Sequence, residues 1–125
     1  MIRDPAAPHP VLAGFGALLA ACGVALAAYA SHGVDGAARE PLLIAALFAF
    51  GHGVALAALA RAVAGRLGAI SLWLLLAGTL GFSGALVSKH LLGIDLGRVA
   101  PIGGSTLIIG WLLQAVSAFG EPRRS

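Results

Sequence analysis

Few residues in this chain could do chemistry, and the one most out of place is His52. It sits between Gly51 and Gly53 inside the uncharged apolar run Leu42–Ala60. An ionisable ring in the middle of such a helix is costly, functional by default, and expected to face the bundle interior. It could accept a proton or contact a ligand, or it could stay neutral and hydrogen-bond across helices to Ser83, Thr79 or Gln114. A second group, His32, Asp35, Lys89, His90, Asp95 and Arg98, falls where apolar runs end. Two histidines near carboxylates suggest zinc, but HxxxH and CxxC spacings are missing, so solvated loop charges and no metal are expected. Ser83, in Phe82-Ser83-Gly84, lacks the GxSxG setting of an activated nucleophile. A bis-histidine haem needs two rings at similar depth, and His52 alone is deep. No catalytic residue and no cofactor are therefore expected. Cys22 has no second cysteine to pair with and reads as a small buried side chain.

The elements that must hold these groups follow from composition. Of 125 residues, 59% are hydrophobic and only 10% charged, where a soluble domain carries about a quarter charged. Mean hydropathy is +0.96. Val11–Ala30, Leu42–Ala60, Leu67–Ser88 and Val99–Gly120 contain no Asp, Glu, Lys or Arg, and each is near the roughly 20 residues that cross a hydrocarbon core. The expected fold is an all-α integral membrane four-helix bundle, up-down-up-down, forming a single transmembrane domain with spans at about 11–30, 42–60, 67–88 and 99–120. None of the four shows the polar face that a soluble bundle needs. Trp73 and Trp111 read as core or lipid-facing packing. Ala28-Tyr29-Ala30 resembles a signal-peptidase site, but the weakly charged start and long apolar run predict a retained span.

Small residues recur at every fourth position: Ala13, Ala17, Ala21 and Ala25; Ala45, Ala49, Gly53 and Ala57; Ala77, Gly81 and Ala85. Such seams let helices close up in lipid, where apolar side chains gain little by leaving the solvent. Between the third and fourth spans, Pro101-Ile102-Gly103-Gly104 restarts the helix. The proline lacks an N–H that a first turn does not need, and the two glycines leave backbone open to a helix or ligand.

These residues carry a family resemblance over nearly the whole chain. Tyr29-Ala30-Ser31-His32-Gly33 resembles a GAFGAHG stretch, and Phe48 to His52 resembles a segment where a histidine opens an apolar helix. Phe82-Ser83-Gly84-Ala85 resembles FSGS; Pro101-Ile102-Gly103-Gly104 with Gly110-Trp111 resembles a PIGG and GW signature. The chain is thus similar to a family of small membrane proteins that includes bacterial YgdD and a mitochondrial counterpart in animals. The resemblance implies a four-helix inner-membrane protein and brings no established reaction. Tyr29-Ala30 in place of FG, and Ala85 in place of the last serine of FSGS, depart from the pattern while keeping the size class.

The leading expectation is a non-enzymatic protein of the bacterial inner membrane, an accessory subunit or packing partner whose neighbours are lipid, further copies or a larger complex. A proton or small-solute pathway centred on His52, with His32 and His90 at its mouth, is the alternative. A lipid or quinone groove along Phe82, Gly84 and the Pro101–Gly104 turn is another. The pI near 10.0 reflects basic residues at span ends, so nucleic acid is not an expected partner. Five Lys and Arg (Arg3, Arg61, Arg66, Arg123, Arg124) lie on the side of the termini, against three (Arg39, Lys89, Arg98) opposite. Cytoplasmic loops are the richer in these residues, so both termini are expected inside. A reporter active only in the periplasm, fused after Ser125, should stay silent, and its activity would reverse the orientation.

Overall fold

Leucine and alanine, the strongest apolar helix formers, run unbroken through the four uncharged windows, and each window is a helix. The computed structural model describes residues 9–121. In order these are α1 (Pro10–Gly33), α2 (Arg39–Ala62), α3 (Arg66–Leu91) and α4 (Val99–Phe119), with one 3-10 turn, Gly36–Ala38, leading into α2. The fold is all-α, and all four helices are long and apolar enough to cross a membrane.

The ends of α1, α2 and α3 run past the uncharged windows. Helix α1 continues through Ser31, His32 and Gly33, and α2 starts at Arg39, which places Pro41 inside its first turn. Arg39 Nη2 donates to the Ser31 carbonyl at 2.9 Å, supplying one of the partners that the last turn of α1 lacks. Helices α2 and α3 turn through Val63, Ala64 and Gly65, whose φ of 87° suits a residue without a side chain. Beyond α3, Gly93 at φ 74° folds the chain back. The Ile94 N–H then donates to the Ser88 carbonyl at 2.9 Å, and Ser88 Oγ donates to the Ile94 carbonyl at 2.8 Å.

The helices form two tight hairpins, α1 with α2 and α3 with α4, joined through a thinner contact between α2 and α3. Within each hairpin backbone meets backbone. A Cβ added to Gly53 would lie 2.5 Å from the Ala20 nitrogen and 2.6 Å from the Gly16 carbonyl oxygen. One added to Gly16 would lie 2.7 Å from the Gly53 carbonyl oxygen, and one on Gly23 would lie 2.6 Å from the Phe50 nitrogen. In the second hairpin, a Cβ on Gly78 would lie 2.9 Å from the Gly103 carbonyl oxygen. Leu12, Ala13, Leu56, Ala60, Val63, Leu72, Leu75, Leu76 and Leu107 form the main buried cluster.

This corrects two of the expected seams in part. Ala17, Ala21 and Ala25 are exposed, and so is Ala77, whereas Ala13 and Ala85 are buried; the closest contacts run through Gly16 and Gly23 on α1 and through Gly78 on α3, where the expected Gly81 also faces Gly103. The reason is steric, because at these separations even an alanine methyl is too large. On α2 the expected line holds, with Ala45, Ala49 and Gly53 buried. Large apolar side chains are displaced outwards, among them Leu18, Leu47, Ile102, Ile108 and Leu112, each more than half exposed. A water-soluble bundle would bury these and expose polar groups.

Gly53→Ala should therefore destabilise the fold by about 1–3 kcal/mol, the usual range for overpacking, in reversible unfolding in mixed detergent. Gly51→Ala, where nothing lies within 4 Å of the new methyl, should be neutral or stabilising by up to ~1 kcal/mol.

Candidate functional site

Helix periodicity places Phe48 one turn before His52 on the same face of α2, and that neighbour decides the state of the ring. His52 Nδ1 lies 2.9 Å from the Phe48 carbonyl oxygen, which can only accept. Trp111 Nε1, on α4, donates to His52 Nε2 at 3.1 Å. An indole N–H is donor only, so Nε2 must be bare and Nδ1 must carry the proton. The two contacts together select the neutral Nδ1–H tautomer, with both ring nitrogens engaged.

The ring belongs to an aromatic run that crosses three helices. Phe82 on α3 meets Phe48 with centroids 4.5 Å apart; Phe48 stacks on His52 at 5.5 Å and 20°; His52 meets Trp111 at 5.9 Å and 50°. Phe48 and Phe82 are half-buried, as is His52. Trp111 is 40% exposed. Beside the ring a cavity of about 300 Å³, lined by Leu47, Phe48, Gly51, His52 and Trp111, opens on the flank of the bundle.

The partners expected for His52 are occupied elsewhere. Ser83 Oγ, buried, donates to the Ala45 carbonyl at 2.9 Å and so ties α3 to α2. Thr79 Oγ1 donates to the Leu75 carbonyl one turn back at 2.7 Å. Ser71 Oγ donates to the Gly68 carbonyl at 2.7 Å and lies 2.6 Å from the Gln114 side-chain amide. One hydroxyl proton cannot serve two acceptors, and turning that amide over, with its NH₂ against Ser71, satisfies both groups. Trp111, read from sequence as packing, is the partner of His52. The signal was available: an indole N–H within a bilayer needs an acceptor, and an unprotonated imidazole supplies one.

The other candidates separate into three places. Gly103 is buried against α3, and a Cβ on Gly104 would lie 3.7 Å from the Phe82 ring, so both glycines serve the α3–α4 contact. Gly84 and Ser83 line a different cavity, of about 200 Å³, with Leu19, Cys22 and Thr79. Phe82 and Gly84 thus do not share a wall of that cavity. Pro101 is exposed in the first turn of α4, its carbonyl accepting from Ser105 Oγ at 2.9 Å.

His32 and Gly33 are exposed at the end of α1, and His90 is half-buried at the end of α3. Nearby, Lys89 Nζ and Asp95 Oδ2 are 3.8 Å apart, both well exposed, a pair of little energetic weight. Asp95 Oδ1 accepts from the Gly97 N–H at 2.8 Å, which shapes the loop. Cys22 is exposed on α1, contrary to its reading as a buried side chain, because α1 turns its glycines inward. Among the described residues no three metal-binding side chains gather.

Residues 26–104 match the family model described as a protein of unknown function, DUF423. A UPF0382 membrane protein of Staphylococcus aureus (strain bovine RF122 / ET3-1) is 34% identical over 113 residues, covering 83% of this chain and 91% of the relative. No solved structure matches the fold.

The family-matched region contains His52 and ends before its partner Trp111, so the bond is best tested in this chain. Trp111→Phe should destabilise it by roughly 0.5–2 kcal/mol, the range of interhelical hydrogen bonds in membranes. Nitrogen NMR of the labelled His52 ring should show a protonated Nδ1 and a bare Nε2; the opposite tautomer would remove the Trp111 bond from the description.

Proposed function

The chain belongs to the DUF423 family, and from that premise we propose that this multi-pass membrane protein is a non-catalytic accessory subunit or packing partner in a larger assembly. Its place is the bacterial inner membrane, with both termini on the cytoplasmic side. The observation that carries this reading is where the polar groups have gone. His52, Trp111, Ser71, Gln114 and Ser83 are engaged with one another or with backbone carbonyls. Among the described residues, Nε2 of His9 is the one buried side-chain polar atom without a partner. Groups that hold helices together are poorly placed to act as acid, base and nucleophile.

The bare flanks support the same reading. Helix α4 has its extensive contact with α3, while Ile102, Ile108, Ile109, Leu112 and Val116 remain more than half exposed. Such a face suits lipid or the helix of a neighbour. The cavity beside His52 opens sideways, and both ring nitrogens are taken, which fits a packing role better than a relay.

Extraction in mild detergent followed by native sizing should give a species larger than one chain, and a chain that always runs alone would overturn the proposal. Liposomes carrying the wild type and His52→Ala should show equal proton flux. A flux in the wild type that disappears in the variant would favour a His52-centred pathway instead.

A further inference from the structure

The bond between Trp111 and His52 exists in one protonation state of the ring. With Nδ1 donating to Phe48 and Nε2 accepting from the indole, a second proton must go to Nε2. It would then face the indole N–H across the 3.1 Å that now separates the nitrogens, donor against donor. The bond cannot survive that change, and a positive charge would be left in apolar surroundings.

No neighbouring group could absorb the charge. Helix α2 offers the ring Phe48, Gly51 and Leu47; α4 offers Trp111; α3 reaches it through Phe82 stacked on Phe48. The windows 42–60, 67–88 and 99–120 hold no Asp, Glu, Lys or Arg. The ionisable groups within the apolar run of α1 are Cys22 and Tyr29, and Cys22 lines the separate cavity with Thr79 and Ser83. The outlet is the open space beside Gly51, where a Cβ would meet nothing within 4 Å. Through it the ring can turn away from the indole.

We propose that His52 and Trp111 form a proton-sensitive latch between the two hairpins. Each hairpin is a stiff unit because its backbones touch at Gly16 and Gly53, or at Gly78 and Gly103. Among the described residues, the side-chain hydrogen bonds between hairpins are Ser83 to the Ala45 carbonyl and Trp111 to His52, beside the leucine cluster. The indole bond is the one of these two that a proton can open. Its release lets α4 and α3 shift against α1 and α2 and changes the outline offered to neighbours. The latch is a property of this chain alone and stands whether or not the protein has a partner.

The test uses the full chain in lipid nanodiscs. Trp73→Phe leaves Trp111 as the sole indole. Its emission should change in one step as the pH is lowered, if a proton on His52 opens the bond. His52→Gln in that background should be flat, since a glutamine amide oxygen can accept from the indole but does not titrate. Nitroxides on Cys22 and on Ile108→Cys, both on exposed positions of α1 and α4, should report an altered distance distribution at acid pH. That change should vanish in His52→Gln and in Trp111→Phe. A flat Trp111 emission, a distance unmoved by acid, or the same acid response in His52→Gln would each overturn the latch.

Discussion

Contact of bare backbone with bare backbone is what the rest of this structure depends on. In lipid there is no water to squeeze from between helices, so they associate through close van der Waals contact and a few interhelical hydrogen bonds. Gly16 against Gly53, and Gly78 against Gly103, bring two pairs of helices to separations that exclude even a methyl group. With small residues at these contacts, many large apolar side chains, among them Leu18, Leu47, Ile102, Ile108 and Leu112, point outwards, where acyl chains solvate them. The protein is built like a soluble bundle turned inside out, apart from a leucine cluster at the level where all four helices meet.

Polar groups then do what the glycines cannot, which is to fix one hairpin relative to the other. Ser83 reaches the carbonyl of Ala45, and the indole of Trp111 reaches the imidazole of His52. Both bonds join α2 to the second hairpin, across the interface that lacks facing glycines. The same economy explains why an expensive histidine is tolerated: its neutral form is satisfied on both nitrogens without any charged neighbour. A residue that looks like a reactive centre in isolation has, in place, both ring nitrogens engaged, one with the Phe48 carbonyl and one with the Trp111 indole.

Several features were legible in the chain itself because each depends on a local property. Span number and length follow from where charge is absent. Pro41 and Pro101 fall in first turns, and loops of three to seven residues force neighbouring helices to run antiparallel. The line Ala45, Ala49 and Gly53 could also be read, since α2 buries two faces and almost any small-residue stripe on it meets a neighbour. On α1 the rule of four selected the buried Ala13 but then Ala17, Ala21 and Ala25, which are exposed. Gly16 and Gly23 lie seven apart, two turns, and a search restricted to a spacing of four passes over that interval. Smallness was the wrong criterion there, for the contact admits glycine alone.

What the sequence by itself determined is the environment and the inventory: four apolar helices, a bilayer to hold them, and one imidazole too deep to be casual. These depend on composition and on the helical repeat, which act over a few residues at a time. Which groups meet was decided by tertiary structure. His52 lies 59 residues from Trp111, Ser71 43 from Gln114 and Ser83 38 from Ala45, and no local pattern encodes such pairings. They emerge once glycine contacts have set the distance and rotation of each helix, because only then does each donor find the one acceptor within reach.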